Sequence, residues 1–214
     1  MSRRALVTGG SGAIGAAICR RLAADGCEVL IHAHRGLEAA EALACELRSG
    51  GSVAQVLAFD VTDAEACRQA LVTALAGGPV QVLVNNAGIH DDAVLAGMRA
   101  EQWHHVIDVS VDGFFHVTQP LLLPMLRTRW GRIISIGSVA GLAGNRGQVN
   151  YAAAKGALHA ATRAISRTCN PKVFRPRHPS GAIDQHASLP PAHAMNAVRV
   201  WYRWLCSRPA CTLA

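Results

Sequence analysis

The stretch RALVTGGSGAIGAAICRRL, residues 4–22, joins a short apolar run, a glycine-rich turn and a helical pattern without interruption. Residues 4–8 have the composition of a buried strand, and Ile14, Ile18 and Leu22 then recur every four residues. Glycines at such a junction let the backbone turn tightly and let a pyrophosphate approach the main chain. The positive N-terminus of the helix would face the phosphates. We therefore predict a dinucleotide-binding turn rather than an ordinary glycine-rich turn.

Further apolar runs alternate with helical patterns along the chain. The expected strands are residues 28–33, 53–60, 80–85 and 131–137. The expected helices are residues 37–49, 64–75, 101–129 and 150–167, with Asp63 as an N-cap and bends at Pro120 and Pro124. Nearly continuous apolar strands between helices are typical of a parallel sheet that is covered on both faces. The pattern predicts an α/β fold with a doubly wound (Rossmann) parallel sheet and helices on both faces.

The composition favours a single folded domain in a reducing compartment. Of 214 residues, 50% are hydrophobic and 16% are charged, which is typical of a globular protein. No apolar run reaches membrane-spanning length, and the few apolar residues before the first glycines are too few for a signal peptide. The seven cysteines are scattered without a C-x-x-C pair, which indicates reduced thiols. We expect a cytoplasmic protein with no metal site and no membrane partner.

The net charge of +7 is concentrated in the C-terminal tail. Residues 1–167 carry 15 basic and 13 acidic side chains, whereas residues 168–214 carry 6 and 1. The same tail holds six of the nine prolines and one of the twenty glycines. We interpret residues 1–167 as a dinucleotide-binding domain and residues 168–214 as an atypical tail that is out-of-frame or disordered. A nucleic-acid partner is not expected, because its only support is the charge of that tail.

The end of the second expected strand bears on which dinucleotide binds. Folds that take NAD often place an acid there for the ribose 2′-hydroxyl. This strand instead ends in the sequence HAHRG, residues 32–36, with His34 and Arg35 at the tip. These side chains could meet the 2′-phosphate of NADPH, and the alternative is a solvated basic turn. We favour NADPH over NADH.

Tyr151 and Lys155 lie four residues apart in the last expected helix and therefore share one face. A tyrosine hydroxyl can donate a proton to an oxygen atom that gains negative charge. The pKa of a free tyrosine is about 10, and a cation within about 4–6 Å lowers it. The pair therefore has the residue types that proton donation to a carbonyl oxygen requires. The alternative is an exposed surface pair.

Several motifs occur in an ordered set. They comprise a glycine turn (Thr8, Gly9, Gly10, Ser11, Gly12, Ala13, Ile14, Gly15), the pair Asp60 and Val61, the run Asn85, Asn86, Ala87 and Gly88, a serine (Ser138), and the pair Tyr151 and Lys155. The set resembles the short-chain dehydrogenase/reductase family over residues 3–167, most closely the 3-oxoacyl-(acyl carrier protein) reductases. One departure is Ala13, where the family's turn has its middle glycine.

The resemblance implies that residues 1–167 are a dinucleotide-binding catalytic domain. In it, Tyr151 would donate a proton to the alkoxide that hydride reduction of a ketone leaves. Asp60 and Val61 would hold the adenine, and Lys155 would also bind the nicotinamide ribose. Ser138 would hold the substrate carbonyl beside Tyr151. The family usually has an asparagine that helps to hold a relay water at the position of Ser110, and we expect the serine to slow the relay without abolishing it.

The implied activity is NADPH-dependent reduction of a 3-oxoacyl thioester, linked to acyl carrier protein or CoA, as in fatty acid biosynthesis. The alternatives are a short-chain dehydrogenase acting on another alcohol or ketone, and a non-catalytic nucleotide-binding remnant. An acidic carrier protein could dock on Arg127, Arg129 and Arg132, although cations that complement a helix C-terminus are the simpler interpretation. Family members form homo-oligomers, and we expect the later elements, which build much of that interface, to be altered here.

The resemblance stops near Arg167, where prolines replace the expected sixth strand. Pro171 would end a helix, and Pro176 and Pro179 oppose a central strand. We predict that the C-terminal strands are missing or replaced, and we interpret the tail as out-of-frame translation near codons 167–170 rather than a genuine alternative C-terminus. An apolar sheet edge left without a neighbour predicts poor solubility.

Overall fold

A computed structural model describes residues 2–168, with the side chains of residues 2–166. Thr168 ends its last helix, Val149–Thr168. The predictions made for the rest of the tail, including its missing strands and its out-of-frame origin, therefore concern residues outside the described range.

The described residues form one five-stranded sheet in which all neighbouring strands are parallel. The strands are β1 Arg4–Val7, β2 Glu28–Ala33, β3 Ala54–Ala58, β4 Val80–Asn85 and β5 Arg132–Ser135. Their order is β3-β2-β1-β4-β5, so the chain moves outward from β1 in one direction and then returns to its other side. This reversal beside β1 opens a crevice at the carboxyl ends of β1 and β4, where doubly wound sheets bind ligands.

Among the described residues, five helices lie between successive strands, and two more follow β5. They are α1 Ala13–Ala24, α2 Leu37–Ser49, α3 Ala64–Ala76, α4 Ala100–Ile107, α5 Gly113–Arg127, α6 Ala140–Ala143 and α7 Val149–Thr168. The predicted boundaries of β2, β4 and α2 match the structure, and Asp63 caps α3 by accepting hydrogen bonds from the backbone N–H groups of Glu65 and Ala66. The doubly wound fold is confirmed.

The sheet has an apolar core on each face, and β1 contributes to both. Ala5 and Val7 belong to the cluster beneath α1 and α2, while Leu6 belongs to the cluster beneath α3 and α5. All four residues of β1 are buried because helices cover both sides of the strand. Complete burial of a side chain such as Leu6 stabilises the fold by about 1.5–3 kcal/mol. None of the helices within residues 2–168 is long and apolar enough to cross a membrane.

The long helix expected over residues 101–129 is interrupted earlier than its prolines suggest. A π-helical turn, Asp108–Asp112, separates α4 from α5, and α5 continues through Pro120 and Pro124. Gly113 follows the π turn and packs directly on Val61, where a Cβ would come within 2.9 Å of the valine side chain. The interruption therefore coincides with a close contact between α5 and the loop after β3.

Gly15, in the first turn of α1, has no room for a side chain. A Cβ there would overlap the carbonyl oxygen of Gly9 and come within 2.8 Å of the Gly10 Cα. Gly12 differs, because its φ is −76° and a Cβ would meet the Gly9 oxygen at an ordinary 3.5 Å. The two glycines of one turn thus form a matched pair.

We expect Gly15→Ala to lower the free energy of unfolding by about 2 kcal/mol or more, because rigid backbone would have to move. Gly12→Ala should lower it by less than about 1 kcal/mol. Denaturant unfolding of both variants without cofactor measures the difference. Equal stability of the two variants would contradict the assigned packing of the turn.

Candidate active site

The first part of the glycine turn, residues 8–12, connects β1 to α1 and is held in a sharply bent conformation. Gly9 has φ +61°, a region that glycine adopts without strain. The Gly10 N–H donates to the His32 carbonyl at 2.8 Å, and the Gly12 N–H donates to the Gly9 carbonyl at 3.2 Å. None of the described side chains caps the start of α1, and its first turn contains no acid. The turn therefore presents a helix N-terminus whose partial positive charge suits a phosphate group.

Thr8 and Asn86 join the ends of β1 and β4. The Thr8 hydroxyl donates to the Val84 carbonyl at 3.3 Å and accepts the N–H groups of Asn86 at 2.9 Å and Ala87 at 3.0 Å. The Asn86 side chain donates in return to the carbonyls of Thr8 and Gly9, at 2.9 and 3.1 Å. These bonds make the glycine turn and the Asn85–Gly88 run one connected unit.

Asp60 lies in the loop after β3, at the same edge of the sheet. Its carboxylate accepts the Thr62 N–H at 2.9 Å, and His34 Nδ1 lies 3.5 Å from its other oxygen. Burial acts to raise the pKa of Asp60, but hydrogen bonds from Thr62 and the charges of His34 and Arg35 outweigh it and lower the pKa. The structure thus brings the predicted adenine-side acid next to His34 and Arg35, whose side chains are exposed.

His32 belongs to the same region and was missed by the sequence analysis. It is buried in β2, where Nδ1 accepts the Gly9 N–H at 3.0 Å and Nε2 lies 2.9 Å from the Phe59 carbonyl. Burial lowers its pKa from 6.5 to about 4, so the ring is neutral near pH 7. The available signal in the sequence was a histidine within the apolar strand that comes after the glycine turn and α1.

Tyr151 and Lys155 project from the first half of α7, and Ser138 lies three residues beyond β5. The Lys155 Nζ atom lies 5.6 Å from the centroid of the Tyr151 ring. It donates a hydrogen bond to the Ile136 carbonyl at 2.9 Å, which ties α7 to the segment leading to Ser138. The Ser138 Oγ accepts the Ala140 N–H at 3.2 Å. The three residues are therefore held at one edge of the sheet by short connections.

Helix α6 packs on α7 by direct backbone contact. A Cβ on Gly141 would come within 2.7 Å of both the Gly156 nitrogen and the Lys155 carbonyl carbon. Because only glycine allows this approach, the loop that carries Ser138 has a fixed position against the helix that carries Lys155.

Lys155 is 4% exposed although it is a charged residue. Burial lowers the pKa of its ammonium group from 10.5 to about 8, because water no longer solvates the charge. The group still carries its proton at pH 7. The cation next to Tyr151 is thus strong electrostatically, since little solvent screens it.

Ser110 lies in the π turn, with its side chain buried. Its Oγ has no hydrogen-bond partner among the described residues and borders a small cavity that Thr8, Asn85 and Leu158 also line. A Cβ on Gly88 would lie 3.8 Å from this Oγ and 3.2 Å from the Lys155 Nζ. Ser110 and Lys155 therefore converge on Gly88, and a buried hydroxyl that lacks a partner is available to a bound molecule.

Asn150, which precedes Tyr151, is a second buried polar residue that the sequence analysis missed. Its side-chain amide donates to the carbonyls of Asp91 and Gln102, at 2.9 and 3.0 Å, and its oxygen accepts the Tyr151 N–H at 2.8 Å. It connects the start of α7 with α4 and with the loop after β4. Its position beside Tyr151 was the only signal available in the sequence.

The remaining candidates lie away from this cleft. Arg127, Arg129 and Arg132 lie between the end of α5 and the start of β5, at the edge of the sheet opposite to the glycine turn. The Arg132 guanidinium lies 4.6 Å from the Trp130 ring centroid. Within residues 2–168, no cluster of His, Cys, Asp or Glu could hold a metal ion.

Comparison with known proteins supplies an independent result. A family model described as short chain dehydrogenase matches residues 3–175, a few residues beyond the predicted limit at residue 167. A protein named 3-oxoacyl-[acyl-carrier-protein] reductase FabG, from Aggregatibacter actinomycetemcomitans, is 41% identical over 168 residues, which cover 78% of this chain and 69% of that protein.

Two further relatives match this chain with a comparable identity and coverage. Acetoacetyl-CoA reductase of Rhizobium meliloti (strain 1021) is 44% identical over 78% of this chain and 68% of its own length. Nodulation protein G of Azospirillum brasilense is 42% identical over 76% of this chain and 66% of its own length. The chain thus spans about two thirds of the length of the curated relatives that it matches.

The buried charge of Lys155 generates a prediction about stability. Replacing it in Lys155→Met removes the charge, keeps the apolar stem and forfeits one hydrogen bond, worth about 1 kcal/mol. We expect the variant to be more stable than the wild type by about 1–2 kcal/mol at pH 7, measured by urea unfolding. Lys172→Met, which changes the only other lysine in the sequence, is the control.

The stability difference should depend on pH. An unfolded lysine titrates near 10.5 and folded Lys155 near 8. Below pH 8 both states hold the proton and the wild type bears the full destabilisation. Between pH 8 and 10.5 the folded chain releases its proton first, so the advantage of Lys155→Met should shrink. A difference that is constant with pH would contradict this assignment.

Proposed function

The chain belongs to the short-chain dehydrogenase family of NAD(P)-dependent oxidoreductases, and on that premise we propose that it reduces a 3-oxoacyl thioester with NADPH. The observation that carries the proposal is the buried Lys155 ammonium, 5.6 Å from the Tyr151 ring and adjacent to Gly88 at the carboxyl edge of the sheet. Such a cation is arranged to act on a neighbouring hydroxyl and on a ligand in the crevice.

The residues at the glycine turn fit a dinucleotide. Gly15 leaves no space for a Cβ, Gly9 takes a positive φ, and the start of α1 lacks a side-chain cap among the described residues. When bound, NADPH would supply the hydride. Thr8, Ser11 and Ile14 would border its phosphates together with the glycines of the turn, and Asn86, Ala87 and Gly88 would line the nicotinamide side. Asp60 and Val61 would hold the adenine.

Tyr151 would donate the proton that the reduced carbonyl oxygen needs. The cation of Lys155, 5.6 Å from the ring centroid, would attract the negative charge that donation leaves on the tyrosine oxygen. Lys155 would also hydrogen-bond the nicotinamide ribose, because its position next to Gly88 puts it beside the proposed nicotinamide site.

Ser138 and Ser110 would support that proton transfer from two sides. Ser138 lies at the end of the segment that Lys155 fixes through Ile136, and its hydroxyl would donate to the substrate carbonyl oxygen. Ser110 has a buried hydroxyl without a partner among the described residues, next to a small cavity. It would take part in proton relay, with a shorter reach than an asparagine.

His34 and Arg35 support NADPH over NADH. Both follow β2, and both act electrostatically on Asp60. Two cationic or polar donors at the end of β2 suit a 2′-phosphate, whereas an acid at that strand end suits the 2′-hydroxyl of NADH.

The relatives named 3-oxoacyl-[acyl-carrier-protein] reductase and acetoacetyl-CoA reductase support a thioester substrate, presented on acyl carrier protein or on CoA. A cytoplasmic setting in fatty acid biosynthesis is consistent with those names and with free thiols at Cys19, Cys27, Cys45 and Cys67. The alternatives are a dehydrogenase for another alcohol or ketone and a nucleotide-binding remnant without turnover.

We expect Tyr151→Phe to lower kcat for acetoacetyl-CoA by about 10²–10⁴-fold, because the proton donor is removed. NADPH binding should stay within about threefold of the wild type, since Lys155 remains. Tyr202→Phe, which alters the only other tyrosine in the sequence, is the control. Following NADPH oxidation with acetoacetyl-CoA, a simple ketone and a secondary alcohol with NADP⁺ separates the substrate alternatives.

The outcomes are distinct. Turnover of the simple ketone or the alcohol that is faster than turnover of acetoacetyl-CoA would favour a dehydrogenase for another alcohol or ketone. NADPH binding without turnover of any of the three would favour the remnant. Unchanged kcat in Tyr151→Phe would remove Tyr151 from the reaction.

Arg35→Ala should raise the KM for NADPH by about tenfold or more and leave the KM for NADH nearly unchanged, because only NADPH carries the 2′-phosphate. Arg68→Ala, which removes an exposed arginine paired locally with Glu65, is the control. Steady-state kinetics with both cofactors measures the ratio. An equal rise for both cofactors would contradict recognition of the phosphate.

A further inference from the structure

His32 holds the glycine turn from the neighbouring strand. Its Nδ1 accepts the Gly9 N–H at 3.0 Å, and its Nε2 lies 2.9 Å from the Phe59 carbonyl. A backbone N–H can only donate and a carbonyl can only accept. One neutral tautomer, with the proton on Nε2, satisfies both contacts at once.

The Phe59 carbonyl therefore determines which ring nitrogen is free to accept. With the proton held on Nε2, the lone pair of Nδ1 points at Gly9, the residue where the turn bends with φ +61°. Phe59 also packs against the imidazole, with ring centroids 4.1 Å apart and ring planes inclined by 42°. The ring is thus fixed in both tautomer and orientation.

The imidazole is well suited to this contact near neutral pH. It is 2% exposed, and burial lowers its pKa to about 4, while the Phe59 hydrogen bond and Asp60 act in the opposite direction and His34 acts with burial. Protonated Nδ1 could no longer accept the Gly9 N–H. Near pH 7 the neutral ring keeps the bond.

We propose that His32 is a positioning residue for the dinucleotide, whose Nδ1 fixes the Gly9 N–H and thereby the curvature of the phosphate-binding turn. The proposal rests on the proposed function, in that a dinucleotide binds at this turn. His32 would not touch the cofactor. Its contribution would be to hold the turn in its binding shape before the phosphates arrive, which reduces the ordering that binding requires.

Two substitutions of His32 each keep one of the two hydrogen bonds of the imidazole and remove the other. In His32→Asn the amide oxygen can replace Nδ1 as acceptor for Gly9, but the side chain is too short to reach Phe59. In His32→Gln the amide nitrogen can replace Nε2 as donor to Phe59, but no acceptor remains for Gly9. Both variants lose the imidazole ring, so the loss of its packing against Phe59 is common to the two.

The test is a fluorescence titration of the full chain with NADPH, combined with amide hydrogen exchange at Gly9 without cofactor. We expect His32→Gln to raise the Kd about tenfold and to lose protection of the Gly9 amide. His32→Asn should stay within about threefold and keep that protection. At saturating NADPH, kcat should be unchanged in both variants.

Phe59→Leu is the packing control, because it removes the phenyl ring that packs against His32 but keeps the backbone carbonyl. Its Kd should stay within about threefold of the wild type. A Kd for His32→Gln equal to that of the wild type, or losses as large in His32→Asn or Phe59→Leu, would overturn the proposal. Failure of the wild type to bind NADPH would instead remove the proposed function, and with it the role of His32 in binding.

Discussion

The hydrogen bonds between Thr8 and Asn86 are the constraint on which the rest of the site depends. A parallel sheet brings its carboxyl ends to one edge, but the loops that leave them have no reason to keep a fixed geometry. Here one hydroxyl binds two successive N–H groups of the β4 loop, and one amide binds two successive carbonyls of the β1 turn. The glycine turn and the loop that ends at Gly88 are therefore joined into one unit.

The buried charge of Lys155 has a cost in folding stability. An ammonium group that is 4% exposed and bonded to the Ile136 carbonyl destabilises the fold relative to an apolar side chain. The proposed role of Lys155 beside Tyr151 would account for this cost, because active sites trade stability for a charge in a fixed place. The backbone contact between α6 and α7 at Gly141 limits how far the surroundings could relax to let water in.

The sequence was sufficient to predict the fold, because β2, β4 and α2 have clear periodicity and clear ends. It was also sufficient to place Asp60, Ser138 and the glycine turn at strand ends. The residues whose hydrogen bonds hold the segments of the site together could not be predicted in the same way. His32 and Asn150 resemble ordinary polar residues until distant backbone groups surround them. The π turn likewise ends where Gly113 packs on Val61, a contact that no local pattern encodes.

The central claim is that this site moves a hydride from a nicotinamide to the 3-keto carbon of a thioester. The most direct measurement uses two NADPH samples, each deuterated on one face at C4, with acetoacetyl-CoA and the full chain. Mass spectrometry of the hydroxyacyl product then locates the label. The account predicts one deuterium at C3 from one of the two samples and none from the other. A product without deuterium from either sample, or no product at all, would contradict it.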